Sequence, residues 1–258
     1  MRNLINKIFF IADKFFFNPK LIFMAICNLP NYLKDYYKFK KKVNGNWPLN
    51  IYPILLEKEE QAANLGEYFF QDIFVAKKII FSNPIRHVDV GSRIDGFIGH
   101  IACQRKVEVF DIRPLSTKIA NIKFVQWDIT RPNPKFYKIS DCVSCLHTLE
   151  HIGLSRYGDK LDPNGWKKAL YSLTTLLLPK GKLWISVPIG IQRVEFNAHR
   201  VFHPKTIIDE ATINYLKLDS FYFLDRQKIK LSINLDKDIQ RLSKKTYTLG
   251  IFSFVNNI

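Results

Sequence analysis

Apolar and polar positions alternate with two different periods between residues 55 and 217. Short, nearly continuous apolar runs predict strands at 86–90, 107–111, 122–127, 140–146 and 182–187. Apolar residues at helical spacing predict helices at 55–80, 96–104, 164–178 and 204–214. Strands that alternate with helices are typical of a mostly parallel sheet with helices on both faces, so we expect an α/β fold.

The pattern changes after residue 217. Two β-rich runs, 221–224 and 247–255, follow one another with no helix predicted between them. Such a pair is expected to form an antiparallel edge on a parallel sheet. The fold predicted for the chain is therefore Rossmann-like, with a mostly parallel seven-stranded sheet and an antiparallel C-terminal edge.

The first 42 residues differ in composition from the rest. They hold nine Lys or Arg against two Asp, and ten aromatic residues, among them Phe15, Phe16 and Phe17. Charged residues interrupt every apolar run before it reaches the ~20 residues that span a bilayer, and the small-residue cleavage site of a signal peptide is missing. Two interpretations stay open for residues 1–42: a helical segment packed on the domain or on a partner chain, and a peripheral contact with a membrane.

A segment rich in turn residues and lysines, 38–53, indicates a connector. It divides the chain into a basic, aromatic N-terminal helical extension, residues 1–50, and an α/β domain, residues 51–258. We predict a cytoplasmic protein, with the inner face of the membrane as the place of the peripheral contact. The oligomeric state is left open.

The net charge of +16 raises the question of nucleic acid. Lysine is spread over a chain that is also rich in Ile, Asn and Phe, and no RNA- or DNA-binding motif accompanies it, so nucleic acid is not the predicted partner. The four cysteines show no disulfide framework, which favours a reducing compartment. Cys142 and Cys145 form C-x-x-C inside an apolar strand, and without a second ligand pair no metal is predicted.

Three predicted strands end in a carboxylate: Asp89, Asp111 and Asp128. After Asp89, Gly91 permits a sharp turn, but Arg93 stands where a dinucleotide site needs its second glycine, so NAD and FAD are disfavoured. S-adenosylmethionine carries an ammonium, a ribose and an adenine but no phosphate. Asp89 would face its amino-acid end, Asp111 would accept the ribose hydroxyls, and Asp128 would accept the adenine amino group.

The chain resembles the class I S-adenosylmethionine-dependent methyltransferases at this point, and more closely a bacterial family of methyltransferase-like proteins, a domain of unknown function met among cell-envelope glycan genes. The segments that carry the resemblance are 68–79, 87–102, 107–114, 145–163, 177–190 and 196–202. With the strand-tip pattern, the resemblance implies an S-adenosylmethionine site formed by Asp89, Gly91, Ser92, Arg93, Gly96, Asp111, Ile112, Asp128, Ile129 and His147.

The loop after the fourth strand is dense in functional groups and should face the cofactor, since the carboxyl ends of parallel strands meet at one edge. We predict methyl transfer, to an oxygen of a small or glycan-type acceptor. A histidine would remove the acceptor proton and a carboxylate would orient it. The candidate catalytic residues are His147, Glu150, His151, Asp159 and His199. The candidate acceptor-binding residues, including two arginines suited to an anion, are Arg156, Tyr157, Asn197 and Arg200.

Two alternatives remain. His147 to His151 match H-x-x-E-H, an inverted zinc-protease motif, but that motif requires a helix and the preceding residues predict a strand. The other alternative is a non-catalytic binding or scaffold protein on a methyltransferase fold, tethered through its basic N-terminus.

Overall fold

A computed structural model describes residues 19–42, 49–56 and 65–257. The described residues fall into two compact units, one within residues 1–64 and the other within 65–258. The sequence prediction placed this boundary at residue 50. In the first unit, helix α1 (Pro19–Lys42) is accompanied by the extended segment 49–56. The predicted aromatic run at Phe15–Phe17 lies outside the described residues.

The second unit alternates strands and helices, as predicted. Its helices are α2 (Glu67–Ser82), α3 (Gly99–Ala102), α4 (Gly165–Leu176), α5 (Pro204–Ile213) and α6 (Leu235–Leu242). Its strands are β1 (His87–Val90), β2 (Val107–Asp111), β3 (Ile122–Gln126), β4 (Ser140–Leu146), β5 (Leu177–Ile189), β6 (Arg193–Glu195), β7 (His199–Val201), β8 (Leu216–Asp225), β9 (Lys228–Leu231) and β10 (Thr248–Asn256). A π-helical turn (Ile94–Ile98) leads into α3, and a 3₁₀ turn (Pro134–Phe136) precedes β4.

Eight strands form one sheet in the order β3-β2-β1-β4-β5-β10-β8-β9. Neighbours from β3 to β5 are parallel, whereas β10 is antiparallel to both β5 and β8, and β9 is antiparallel to β8. The mixed α/β, Rossmann-like class is therefore as predicted. The prediction of seven strands was wrong by one, whereas the predicted antiparallel C-terminal edge is present: β10, β8 and β9 form the antiparallel end of the sheet, with β10 next to β5.

Core residues alternate between the two faces of the sheet. Along β4, Val143 and Cys145 pack in the cluster that contains α4, while Cys142 and Leu146 pack in the cluster that contains α2. Both faces are thus covered by helices, as expected for strands buried on both sides. The two cysteines of C-x-x-C point to opposite faces, and burial raises the pKa of each thiol. This placement is incompatible with a shared metal or a disulfide.

The predicted start of the first helix was wrong, and two elements were not predicted. The helix predicted from residue 55 begins at Glu67, after Gly66 in extended conformation, and Leu55 belongs to the extended segment of the first unit. Strand β9 and helix α6 were not predicted. Strand β9 is an exposed four-residue edge, and α6 has only eight residues and buries only Leu242, so both are shorter than the windows in which a period can be recognised.

Candidate functional site

The carboxyl ends of β1, β2 and β4 surround a pocket of about 820 Å³, counting the open space at its mouth. This size is within the range of small-molecule sites. Ten of the residues predicted for the site line it: Gly91, Arg93, Asp111, Ile112, Asp128, Ile129, His147, His151, Tyr157 and Asp159.

Asp89 lies beneath the pocket and not in it. The residue is 0% exposed, and its Oδ2 accepts from the Ser144 hydroxyl at 2.5 Å and the Ser92 hydroxyl at 2.6 Å. Burial raises the pKa of Asp89 to about 7, although these bonds oppose the rise. The prediction that Asp89 faces the ligand was wrong: it braces the turn from β1 to the next segment. Ser92 has the same bracing role, since its Oγ also accepts from the Leu146 amide at 3.0 Å.

Gly91 brings the chain close to the loop after β4. Its φ is 74°, and a Cβ at this position would lie 2.4 Å from the Thr148 Cγ2. The position therefore requires glycine, both for its conformation and for the close approach. Gly96 lies elsewhere: it adjoins the Asp72 carboxylate and does not line the pocket, so its prediction as a cofactor contact was wrong.

Asp111 lies at the end of β2, and Arg113 already donates hydrogen bonds to its carboxylate. Oδ1 accepts from the Arg113 amide and Nε, at 2.8 and 3.0 Å, and Oδ2 accepts from the Arg113 Nη2 at 2.7 Å. A carboxylate has about four acceptor positions, so Oδ2 retains room for one hydroxyl. Both hydroxyls of a ribose can be accepted only if the Arg113 side chain moves.

Asp128, which follows β3, has a more open carboxylate. Its Oδ1 accepts from the Thr130 amide and hydroxyl at 3.0 and 2.7 Å, while Oδ2 is 3.3 Å from the Arg131 Nε. Trp127 and Ile129 lie on either side of it in the pocket wall. This arrangement is suited to an aromatic ring that offers one N–H donor.

His147 and Glu150 form a buried pair directly after β4. The His147 Nδ1 is 2.8 Å from the Glu150 Oε1, and the two side chains are 2% and 1% exposed. Because a carboxylate only accepts, Nδ1 carries the proton of the neutral ring and Nε2 carries the lone pair. Among the described residues, Nε2 has no hydrogen-bond partner, and the Glu67 Oε1 lies 3.7 Å from it.

Burial on its own would lower the pKa of His147. The carboxylates of Glu150, Glu67 and Asp72 outweigh it, and the pKa is raised above its ordinary value. The Tyr68 ring packs 4.5 Å from the imidazole, and burial raises the Tyr68 pKa to about 12. His151 is different: its Nδ1 is bonded to the Ala198 carbonyl at 2.6 Å, and burial lowers its pKa.

A model of the family described as Caenorhabditis protein of unknown function, DUF268, matches residues 105–251. The chain belongs to the DUF268 family. No curated protein matches this sequence. The match includes β2 to β9, the loop with His147, and the first four residues of β10.

Solved structures share the fold of this DUF268 protein at low identity. The Burkholderia thailandensis 1,6-didemethyltoxoflavin-N1-methyltransferase, with bound 1,6-didemethyltoxoflavin and S-adenosylhomocysteine, is 13% identical (TM-score 0.51, covering 73% of this chain and 80% of that one). The N-methyltransferase NodS from Bradyrhizobium japonicum WM9, in complex with S-adenosylhomocysteine, is also 13% identical (TM-score 0.51, 74% and 89%). The [4+2]-cyclase SpnF is 10% identical (TM-score 0.52, 73% and 80%). The fold is thus that of class I methyltransferases, and a cyclase shares it.

Several predicted residues of the DUF268 chain have structural roles. Arg200 is 6% exposed and its guanidinium donates to the carbonyls of Glu150, Ile152 and Pro163 at 2.6–3.3 Å. Asp159 accepts from the amides of the loop, including Gly153 at 2.6 Å. The prediction of an acceptor-binding Arg200 was therefore wrong, because the residue holds the loop that carries His147. Asp159 also binds amides of this loop, but it lines the pocket, and its role toward a histidine stays a prediction.

Three of the remaining predicted residues, Arg156, Asn197 and His199, lie outside the pocket lining, at or near the β6–β7 hairpin. Asn197 is exposed in the hairpin turn. His199 packs 5.9 Å from the Tyr247 ring, and burial lowers its pKa. Arg156 donates to the Ala198 carbonyl at 2.7 Å and lies 5.1 Å from the ring of Tyr157, which does line the pocket. Arg156 and Tyr157 thus remain candidates at its mouth, whereas Asn197 and His199 have no contact that assigns them to the site.

The H-x-x-E-H segment lies in turns after β4, so its two imidazoles do not share a helix face as the zinc motif requires. In the described part of the chain, no three His, Cys, Asp or Glu side chains are grouped to hold a metal ion.

Eight residues of the pocket were not predicted from the sequence: Tyr68, Val90, Phe110, Arg113, Trp127, Thr130, Thr148 and Ile152. Most of them are next in sequence to a predicted residue. Their position beside an acid at a strand end is the feature of the sequence from which they could have been predicted. Tyr68 comes from α2, far away in the sequence. Nothing in the helical period of α2 distinguishes it from a core residue.

Proposed function

We propose that this protein transfers a methyl group from S-adenosylmethionine to an oxygen of a small or glycan-type acceptor. The observation that supports it is the shared pocket: Asp111 and Asp128 stand at two strand ends, and the His147 pair stands at a third. The fold is one on which such chemistry is found, but the proposal rests on the site.

The residues present fit S-adenosylmethionine. Gly91 leaves the space that a Cβ would fill, the Asp111 Oδ2 accepts from the ribose, and the Asp128 Oδ2 accepts from the adenine amino group. When bound, the cofactor supplies an electrophilic methyl group. Ile112 and Ile129 provide apolar walls of the pocket.

The His147 Nε2 would accept the proton of the acceptor hydroxyl as its oxygen bonds to the methyl carbon and the bond from that carbon to sulfur breaks, which leaves S-adenosylhomocysteine. Glu150 keeps Nδ1–H in place, so that the lone pair stays on Nε2, and stabilises the imidazolium that results. Glu67 lies near the same nitrogen and also stabilises that charge. Arg156 packs on the ring of Tyr157, which lines the pocket, and forms no ion pair with the described residues, so it favours an acceptor that carries an acidic group.

The first test is cofactor binding. Calorimetry with S-adenosylhomocysteine should detect binding to the full chain, and Asp111→Ala should weaken it about 100-fold, since hydrogen bonds to a charged acceptor contribute about 1.5–3 kcal/mol each. Asp225→Ala is the matched control, because Asp225 pairs with Lys230 at 2.6 Å on the β8–β9 edge, outside the pocket lining. Equal affinities for the two variants would contradict the assigned role of Asp111.

The second test is pH. Since the neutral form of His147 is the base and its pKa is raised, the rate of methyl transfer should rise with pH as the ring loses its proton, with a midpoint above its ordinary value of about 6.5. Single-turnover rates would measure this. Because the pKa of Asp89 is about 7, S-adenosylhomocysteine affinity and the circular dichroism spectrum must be followed over the same range. A rate that falls with pH would exclude His147 as the base.

One observation favours the second candidate, a binding or scaffold protein without turnover. Arg113 occupies three acceptor positions of Asp111. A chain that neither binds S-adenosylhomocysteine nor transfers methyl would support this candidate.

A further inference from the structure

Helix α1 has one side that is already covered. Its half-buried residues recur at spacings of three and four: Ala25, Asn28, Tyr32 and Tyr36. Asn28 donates from Nδ2 to the Leu55 carbonyl at 2.7 Å, and the Tyr32 hydroxyl accepts from the Tyr52 amide at 3.1 Å. The segment 49–56 therefore packs along this side and fixes which other sides of α1 face outwards.

An adjacent side of α1 is apolar and exposed. We define the apolar stripe of α1 as five residues that recur at spacings of four and three and are 39–63% exposed: Ile22, Ile26, Leu29, Leu33 and Tyr37. At 3.6 residues per turn, this spacing places them on one continuous side of the helix. Leu21, Phe23, Met24 and Phe39 are also 40–67% exposed elsewhere on α1, but the five residues of the stripe are contiguous. A contiguous exposed apolar surface indicates a contact surface.

The charge of α1 is strongly unbalanced. Lys34, Lys38 and Lys41 recur at spacings of four and three and form a row on the next side of the helix, and the last turn holds Lys40, Lys41 and Lys42. Asp35 is the single acidic residue between Pro19 and Lys42. Basic side chains therefore run beside the apolar stripe, and within Pro19–Lys42 only Asp35 has the opposite charge.

We propose that α1 lies flat on an anionic lipid surface, with the apolar stripe in the acyl boundary and the lysine row among the headgroups. This combination is what binds interfacial helices to negatively charged membranes. A second copy of the chain fits less well, because pairing two stripes would bring two lysine rows together without acidic partners. Among the residues described, no helix is long and apolar enough to cross a bilayer. The inference is independent of the proposed function.

Sedimentation of the full chain with vesicles tests the proposal. Binding should be strong to vesicles of phosphatidylcholine with phosphatidylglycerol and weak to phosphatidylcholine alone, and added salt should weaken it. The triple variant Lys34→Gln, Lys38→Gln, Lys41→Gln should bind about 100-fold more weakly, since each lysine contributes about fivefold. The variant Ile26→Ser, Leu29→Ser, Leu33→Ser should lose binding by about 100-fold or more.

The matched control makes the same kind of substitution, exposed apolar residues to serine, in the second unit. Ile85, Ile213 and Ile233 are 96%, 70% and 95% exposed in the second unit, so their triple replacement by Ser should leave vesicle binding unchanged. Circular dichroism checks that each variant is folded. Equal binding to the two vesicle types, or full binding by the stripe variant, would overturn the proposal. So would a stripe variant that changes from dimer to monomer in light scattering while its vesicle binding is unchanged, which would assign the stripe to a second copy.

Discussion

His147→Asn is expected to lower the rate of methyl transfer by about 100- to 10,000-fold, the range attributed to a positioned general base. Asparagine retains a donor for the Glu150 carboxylate and tolerates the positive φ of 48° found at this position, but it has no group at the place of Nε2. The measurement is the transfer of labelled methyl from S-adenosylmethionine to a panel of sugars and sugar acids, in single turnover.

Two comparisons separate the base from a structural residue. S-adenosylhomocysteine should still bind to His147→Asn, and the pH dependence of the remaining rate should flatten. Glu150→Gln should also slow transfer, because an amide in place of the carboxylate no longer fixes the proton on Nδ1, and the double variant should be little slower than His147→Asn alone. An undiminished rate in His147→Asn would remove this histidine from the mechanism.

Arg200→Met is expected to lower the free energy of unfolding by about 3 kcal/mol or more. The side chain is buried, and its loss leaves the carbonyls of Glu150, Ile152 and Pro163 without this donor, at about 1 kcal/mol or more each. Burial lowers the pKa of the guanidinium, and the carboxylates of Asp159 and Asp162 oppose that shift. Urea unfolding of the full chain measures the change.

Arg156→Met is the matched substitution at the mouth of the pocket. Arg156 is exposed, so the free energy of unfolding should change by only about 0.5 kcal/mol, while KM for an acidic acceptor should rise. A stable Arg200→Met protein with weakened acceptor binding would return Arg200 to the substrate site and contradict the structural role assigned to it.

Strand positions could be predicted because apolar runs bounded by polar turns are a local signal. The strands at 107–111 and 140–146 agree with the structure, and 122–127 is one residue too long. Strand β9 and helix α6 could not be predicted from the sequence, because they are short and are stabilised by packing against larger elements. The position of β10 inside the sheet also depends on long-range pairing with β5 and β8.

The sequence by itself determined the fold class and the strand ends at which the site is built, since the periods of the apolar residues and the glycine at position 91 are local properties. Only the tertiary structure decided what each polar side chain does. In the sequence, Asp89 and Arg200 look like the charged residues that line the pocket. In the structure, hydroxyls of Ser92 and Ser144 bind the Asp89 carboxylate, and backbone carbonyls bind the Arg200 guanidinium. Burial and hydrogen-bond partners come from contacts between distant segments, and no local pattern encodes them.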